Sequence, residues 1–126
     1  MTTKSVFDLP LFDTSQYEGC EFVMRGGDAT LTIHISELPN VVIHFTRIRW
    51  HQFTALYNCG KDMIQGSYFK LVEVIPSPDL EAYVKNDLAS VKAYKELHHY
   101  RIFLDETGSH EVFAEAVTGQ GAAEIG

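Results

Sequence analysis

The strongest constraint on this chain is a two-residue rhythm that starts near Ala29. In ATLTIHIS, Leu31, Ile33 and Ile35 alternate with Thr30, Thr32, His34 and Ser36. Side chains of an extended strand point to alternate faces, so this segment is a strand with one buried and one wet side, as in antiparallel sheets. ELPN then turns the chain at Pro39 and Asn40, and VVIHF resumes the rhythm with Val41, Ile43 and Phe45. The next large apolar residues, Ile48 and Trp50, have the opposite parity. Either both faces are covered there, or a β-bulge near Thr46 and Arg47 shifts the register by one residue, and the bulge is the favoured reading.

Other segments extend the pattern. CEFVMRG is a short strand closed by Gly26, Gly27 and Asp28, and YFKLVEVI is another, ended by Pro76-Ser77-Pro78. Ser77 or Asp79 is placed to cap a helix that begins at Pro78 or Leu80. Leu80, Tyr83, Val84, Leu88, Val91 and Tyr94 recur at helical spacing, with Asn86-Asp87 as a point where one helix would become two. Asn58 to Ser67 reads as a loop. The first nineteen residues lack a period but carry Phe7, Leu9, Leu11 and Phe12, which suits a segment laid over the core with room for a short strand. From His98 to Val117 a hairpin is expected, with Gly108 at the position that needs φ > 0. The expected fold class is α+β: a mostly antiparallel β-sheet of about six strands. One or two short helices lie between the fourth or fifth strand and a C-terminal β-hairpin. Residues 1–126 form a single domain, with 118–126 as a flexible tail.

Composition narrows the function. Aromatic residues make up 12% of the chain and let a domain of this size build a core without disulfides. Cys20 and Cys59 have no Cys-x-x-Cys spacing and are expected as reduced thiols in a cytoplasmic protein. No apolar run approaches the ~18 residues of a membrane helix, so no membrane partner is expected. The net charge is −7, which argues against nucleic acid as a partner. From Asp105 onward Asp105, Glu106, Glu111, Glu115 and Glu124 occur without any Lys or Arg. Such a region attracts a basic protein surface.

The most suggestive chemistry is HHYRIFLDETGSHEVFAEAV, from His98, which holds three of the six histidines. Metal sites need three or four converging ligands. Adjacent strand residues diverge, so His98 shares its side with Tyr100 while His99 aligns with Arg101 and Asp105. His110 lies across the hairpin. Neither a metal site nor a cofactor is therefore expected. His34 and His44, facing each other across the Pro39-Asn40 turn with His51 nearby, are a second histidine group with pH-sensing chemistry. No nucleophile elbow, phosphate loop or redox pair is present, so no catalytic residue is assigned. Glu111 and Glu115 read as exposed carboxylates on one strand face. Trp50 with Arg47 and Arg49 has the composition of an interface anchor.

FKLVEVIPSPDLEAY followed by the histidine stretch resembles a class of small bacterial proteins in which a strand, a short helix and a closing hairpin follow in that order. The hairpin has the form His-Tyr-Arg-Ile-x-Phe/Leu-Asp, turn, Glu-Val-x-Ala-Glu, matched here by His99 to Ile102, Leu104, Asp105, Glu111, Val112, Ala114 and Glu115. Relatives in that class look like immunity-type proteins, which neutralise toxins by binding them. The resemblance implies a fold kinship and a non-enzymatic protein-binding role. The residues assigned to binding are Arg47, Arg49, Trp50, Tyr100, Arg101, Asp105, Glu111 and Glu115. The alternatives are a small-ligand or metal-dependent enzyme using the histidines and carboxylates, and a homodimer formed by sheet pairing or through Trp50.

Overall fold

The computed structural model describes residues 2–86 and 96–120. Their elements, in chain order, are β1 (Thr2–Asp8), β2 (Tyr17–Arg25), β3 (Asp28–Ile35), β4 (Val41–Ala55), α1 (Lys61–Gln65), β5 (Lys70–Ile75), α2 (Pro78–Asn86), β6 (His98–Leu104) and β7 (Gly108–Gln120). Single turns of 3₁₀ helix follow the β1 loop and β4. The seven strands form one sheet in the order β1-β5-β6-β7-β4-β3-β2, and every named strand pair is antiparallel. The mostly antiparallel sheet matches expectation, but it has seven strands rather than six. The additional strand is β1, whose residues carry no rhythm of their own and which pairs with β5. A helix does lie between the fifth strand and the closing hairpin. A second, α1, falls inside the segment read as a loop. Leu88, Val91 and Tyr94 of the helical stripe lie outside the described residues.

The alternating positions of β3 and β4 behave as their sequence dictates. Leu31, Ile33, Ile35, Val41, Ile43 and Phe45 are fully buried, and Leu71, Ile102, Leu104, Val112 and Ala114 join them in one cluster. These residues share one side of the sheet, the core face. The sheet curls over that face, because Tyr17, Cys20 and Phe22 of β2 lie three strands from β7 in pairing order yet reach toward its end of the sheet. Tyr17 bonds Thr107 at 2.5 Å, Cys20 Sγ lies 3.7 Å from His110 Nε2, and the Phe22 ring stacks on His51 at 3.9 Å. Phe7 of β1 closes the same face by lying against Gly119, where a Cβ would sit 2.2 Å from the Phe7 ring.

The parity break in β4 is more complex than one bulge at Thr46-Arg47. Arg47 has φ +53 and its N–H donates to Asp28 Oδ1 at 2.9 Å, but the β4–β7 register shifts between Ile48 and Trp50, so Ile48 packs against the core cluster while Trp50 lies opposite Phe113 on the other face. The closing hairpin also forms as expected: Gly108 has φ +141 and lies so close to β4 that a Cβ there would be 2.2 Å from the Thr54 carbonyl. Thr118 to Gln120, expected in a flexible tail, instead continue β7 and pair with His44, Ile43 and Val42. Both cysteines are free thiols.

Candidate functional site

The other side of the sheet mixes polar residues with Val72, Phe103 and Phe113, and over β6 and β7 it is buried. Register places His99 opposite Phe113 and Arg101 opposite Glu111, while Trp50 of β4 pairs with Phe113 on its other side. Helices α1 and α2 cover this helix face. Pro76 and Pro78 stop β5 and start α2, and Ser77 between them caps the helix by accepting the Leu80 N–H at 3.0 Å. That cap brings the Ser77 hydroxyl to His99 Nδ1 at 2.6 Å, and His99 Nε2 lies 2.7 Å from Glu111 Oε1. Arg101 Nη2 donates to the same carboxylate oxygen at 3.2 Å. One set of donor directions satisfies the chain: the Ser77 hydroxyl donates to Nδ1, and Nε2–H donates to Glu111.

Glu111 is 5% exposed, not the solvent carboxylate its sequence suggested. Burial by itself raises its pKa, but the His99 hydrogen bond and the Arg101 guanidinium outweigh that effect and hold the carboxyl below its ordinary range. Arg101 is equally enclosed. Its Nη1 reaches the Asp62 carbonyl only at 3.5 Å, and its Nε is buried without a hydrogen-bond partner.

Beside this pair a cleft of about 390 Å³ opens between the sheet and α2. Trp50 stacks on Phe113 at 4.3 Å, and Tyr83 of α2 meets Phe113 edge-on at 5.3 Å, which gives the cleft aromatic walls. Arg101 and Glu111 lie at its polar end, and Asp79 contributes a carboxylate from the first turn of α2. Ser77 and His99 do not line it. The serine–histidine–glutamate chain therefore resembles a nucleophile relay in composition but has no opening toward a substrate. Its hydroxyl is already committed to the helix cap.

The other residues assigned to binding are dispersed. Arg47 and Arg49 flank Glu115 at 4.0 and 3.7 Å, on the rim beyond Trp50. Tyr100 points the opposite way, into the core face, where burial ahead of the nearby Glu73 and Glu96 charges pushes its phenol up to about 12. It is therefore part of the core and not of a binding surface. Asp105 sits at the β6–β7 turn and accepts the Tyr68 hydroxyl at 2.8 Å.

The six histidines do not converge on one point, although His51 and His110 are in contact. His98 bonds Glu73 at 2.6 Å on the core face, His99 belongs to the helix face, and His110 lies 3.1 Å from His51 beside Phe22. His34 and His44 are not cross-strand neighbours. Thr30 is opposite His44, while His34 bonds Asn40 and lies 3.8 Å from Glu21. Among the described residues no group of three or more His, Cys, Asp or Glu side chains is placed to hold a metal ion. Burial, reinforced by the neighbouring His51, lowers the His110 pKa to about 4, and burial lowers that of His51.

A second surface was not legible in the sequence. Tyr57, 97% exposed, and Leu11, 96% exposed, belong to segments that meet the β6–β7 turn through Leu56 and through Tyr68, which bonds Asp105. Leu56 N–H holds the Thr107 carbonyl of that turn at 3.2 Å, and Leu11 shares a shallow hollow with Tyr68. Asp105 and Glu106 supply negative charge at the centre. Large side chains this exposed are a signal only once the fold gathers them. No protein-family model matches the chain, and comparison with characterised proteins and with solved structures gives no match either.

Proposed function

We propose that this protein is a non-enzymatic binding protein that acts by covering a basic protein partner. The observation that carries this reading is the surface around the β6–β7 turn. There the exposed Tyr68 bonds Asp105, Leu11 shares a hollow with Tyr68, and the exposed Tyr57 follows Leu56, which holds the Thr107 carbonyl of the turn. Tyrosines supply large contact area at low entropic cost and are enriched at interface hot spots. The acidic centre and the net charge of −7 steer a basic partner onto them. This use matches the toxin-neutralising role implied by the resemblance of the hairpin to immunity-type proteins.

The test is affinity capture from native lysate with three baits: the wild-type chain, Tyr57→Ala and Leu11→Ser. A partner retained by the wild type at low salt, weakened at high salt and lost with either variant supports the reading. Equal capture by all three baits, or capture by none, overturns it.

A homodimer formed by sheet pairing is the second reading. It is favoured by β2, which ends the sheet with β3 as its one neighbour and exposes Val23 and Met24 along its length. Light scattering that returns a monomer mass at high protein concentration would remove it.

A further inference from the structure

β2 holds a regular stretch bounded by two glycines. Gly19 has φ +132 at the register shift that follows Tyr17, and Gly26 has φ +62 in the two-residue turn joining Arg25 to Asp28. Between them, Cys20 to Arg25 pair with β3 without irregularity. Residues that flank a two-residue hairpin turn exchange backbone hydrogen bonds, and such pairs alternate along the strands. Arg25, Val23 and Glu21 therefore direct their N–H and C=O groups toward β3, while Met24, Phe22 and Cys20 direct theirs outward. Among the described strands β3 is the one neighbour of β2, so no other strand takes these outward groups.

We propose that a second copy of this chain takes them. β2 pairs antiparallel with β2 of the other copy about a two-fold axis at Val23, joining the two sheets edge to edge. This contact rests on the sheet-pairing reading of β2 and adds to it a register and two ion pairs.

The register follows from backbone, length and charge together. An axis normal to the sheet keeps the core face of one copy level with that of the other. Centred on Val23, it sets Cys20 against Gly26 and so uses the whole regular stretch. Phe22 then faces Met24 of the second copy, and both point their backbone groups outward to meet. Met24, 57% exposed, gains cover from that phenyl ring, and Val23 covers itself. On the wet face Glu21 lies opposite Arg25 of the second copy, and Arg25 opposite its Glu21. Both residues are exposed, and Asp28, which faces Arg25 across the hairpin, is already engaged by the Arg47 N–H and by His44. An axis at Phe22 would set Arg25 against Gly19, and one at Met24 would set it against Val23. Charges on an edge strand commonly keep other copies away. Opposite charges placed two residues on either side of one valine do the reverse for this chain.

Light scattering of the full chain over a range of concentrations is expected to show a dimer at the high end. Glu21→Arg turns two attractive contacts into two repulsive ones and should weaken the dimer roughly tenfold or more, as should Arg25→Glu. The double variant, Glu21→Arg with Arg25→Glu, should return close to wild-type affinity. The register is tested by Val23→Cys in a chain whose Cys20 and Cys59 are replaced by serine. Facing itself at a non-hydrogen-bonded position, about 4.5 Å between Cα atoms, that cysteine should bridge the dimer on mild oxidation. Met24→Cys in the same background, about 7–8 Å from its counterpart, should not. A monomer at every concentration overturns the contact together with the sheet-pairing reading, and leaves the edge to an extended segment of another protein. A dimer that ignores both charge reversals, or that is bridged at residue 24 instead of 23, overturns the contact alone and leaves pairing by another register. Capture of a basic partner through the Tyr57 surface is independent of either result.

Discussion

β6 and β7 present two faces that are both buried and differ in what holds them. On the core face, Tyr100, Ile102, Leu104, Val112 and Ala114 pack against Leu31 and Ile43, with the polar His98, Glu73 and His110 toward its ends. On the helix face, one residue further along each strand, His99, Arg101 and Glu111 form a bonded chain closed by Ser77. The core face is held by apolar area removed from water, which is tolerant of detail. The helix face is held by matched partners, so removing one member exposes the cost of the rest.

The largest effect should come from breaking that match. Glu111→Ala leaves Arg101 enclosed without a counter-charge and should cost about 3–5 kcal/mol in urea unfolding. Replacing both members, Glu111→Met with Arg101→Met, should restore part of that loss, because no unpaired charge remains although His99 Nε2–H loses its acceptor. If the double variant is as unstable as the single one, the contrast between the faces is wrong. On the core face Leu104→Ala should cost about 3 kcal/mol with no comparable rescue, since the penalty there is a cavity.

Acid sharpens the comparison next. His110 has its folded pKa lowered to about 4, below the ordinary histidine value, through burial and the adjacent His51. The unfolded chain therefore binds a proton that the folded chain refuses between those two values. Stability should fall as pH drops through this window, by on the order of 3 kcal/mol for His110. Glu111, whose folded pKa is depressed, contributes stability above the unfolded carboxylate pKa that is lost at still lower pH. Denaturation midpoints measured from pH 7 to pH 4 should show a slope that His110→Gln flattens and Leu104→Ala leaves unchanged. The smallest effect belongs to Ser77→Ala. It removes the α2 cap and one partner of His99, for about 1–2 kcal/mol. Hydrogen exchange should show faster opening at the first turn of α2.

This contrast also explains what was legible beforehand. Alternation is a local property, so β3, the first part of β4, the closing hairpin and the divergence of His98 from His99 could be read directly, whereas the register shift between Ile48 and Trp50 was expected two residues earlier. Burial of the polar set is not local. Arg101 and Glu111 alternate with apolar residues as solvent positions do, and only the docking of α1 and α2 encloses them. β1 was obscure because Thr2–Asp8 has no periodicity, and its place is set by β5 and by the space above Gly119. The separation of His34 from His44 follows from register. Ala29 pairs with Phe45 and Ile33 with Val41, so the turn centres on Glu37, with φ +67, rather than on Pro39 and Asn40. The Tyr57 surface joins segments distant in the chain, and no spacing rule announces it.

The two adjacent histidines of β6 mark where the chain changes allegiance between layers. A slip of one position along β7 would thrust a guanidinium among Leu31, Ile43 and Phe45 and turn Ile102 toward Ser77. A wholly apolar strand would suffer little from that error. Here the misaligned state would carry a naked charge in oil, so the ion pair acts as a key that admits one alignment of the hairpin and rejects its neighbours.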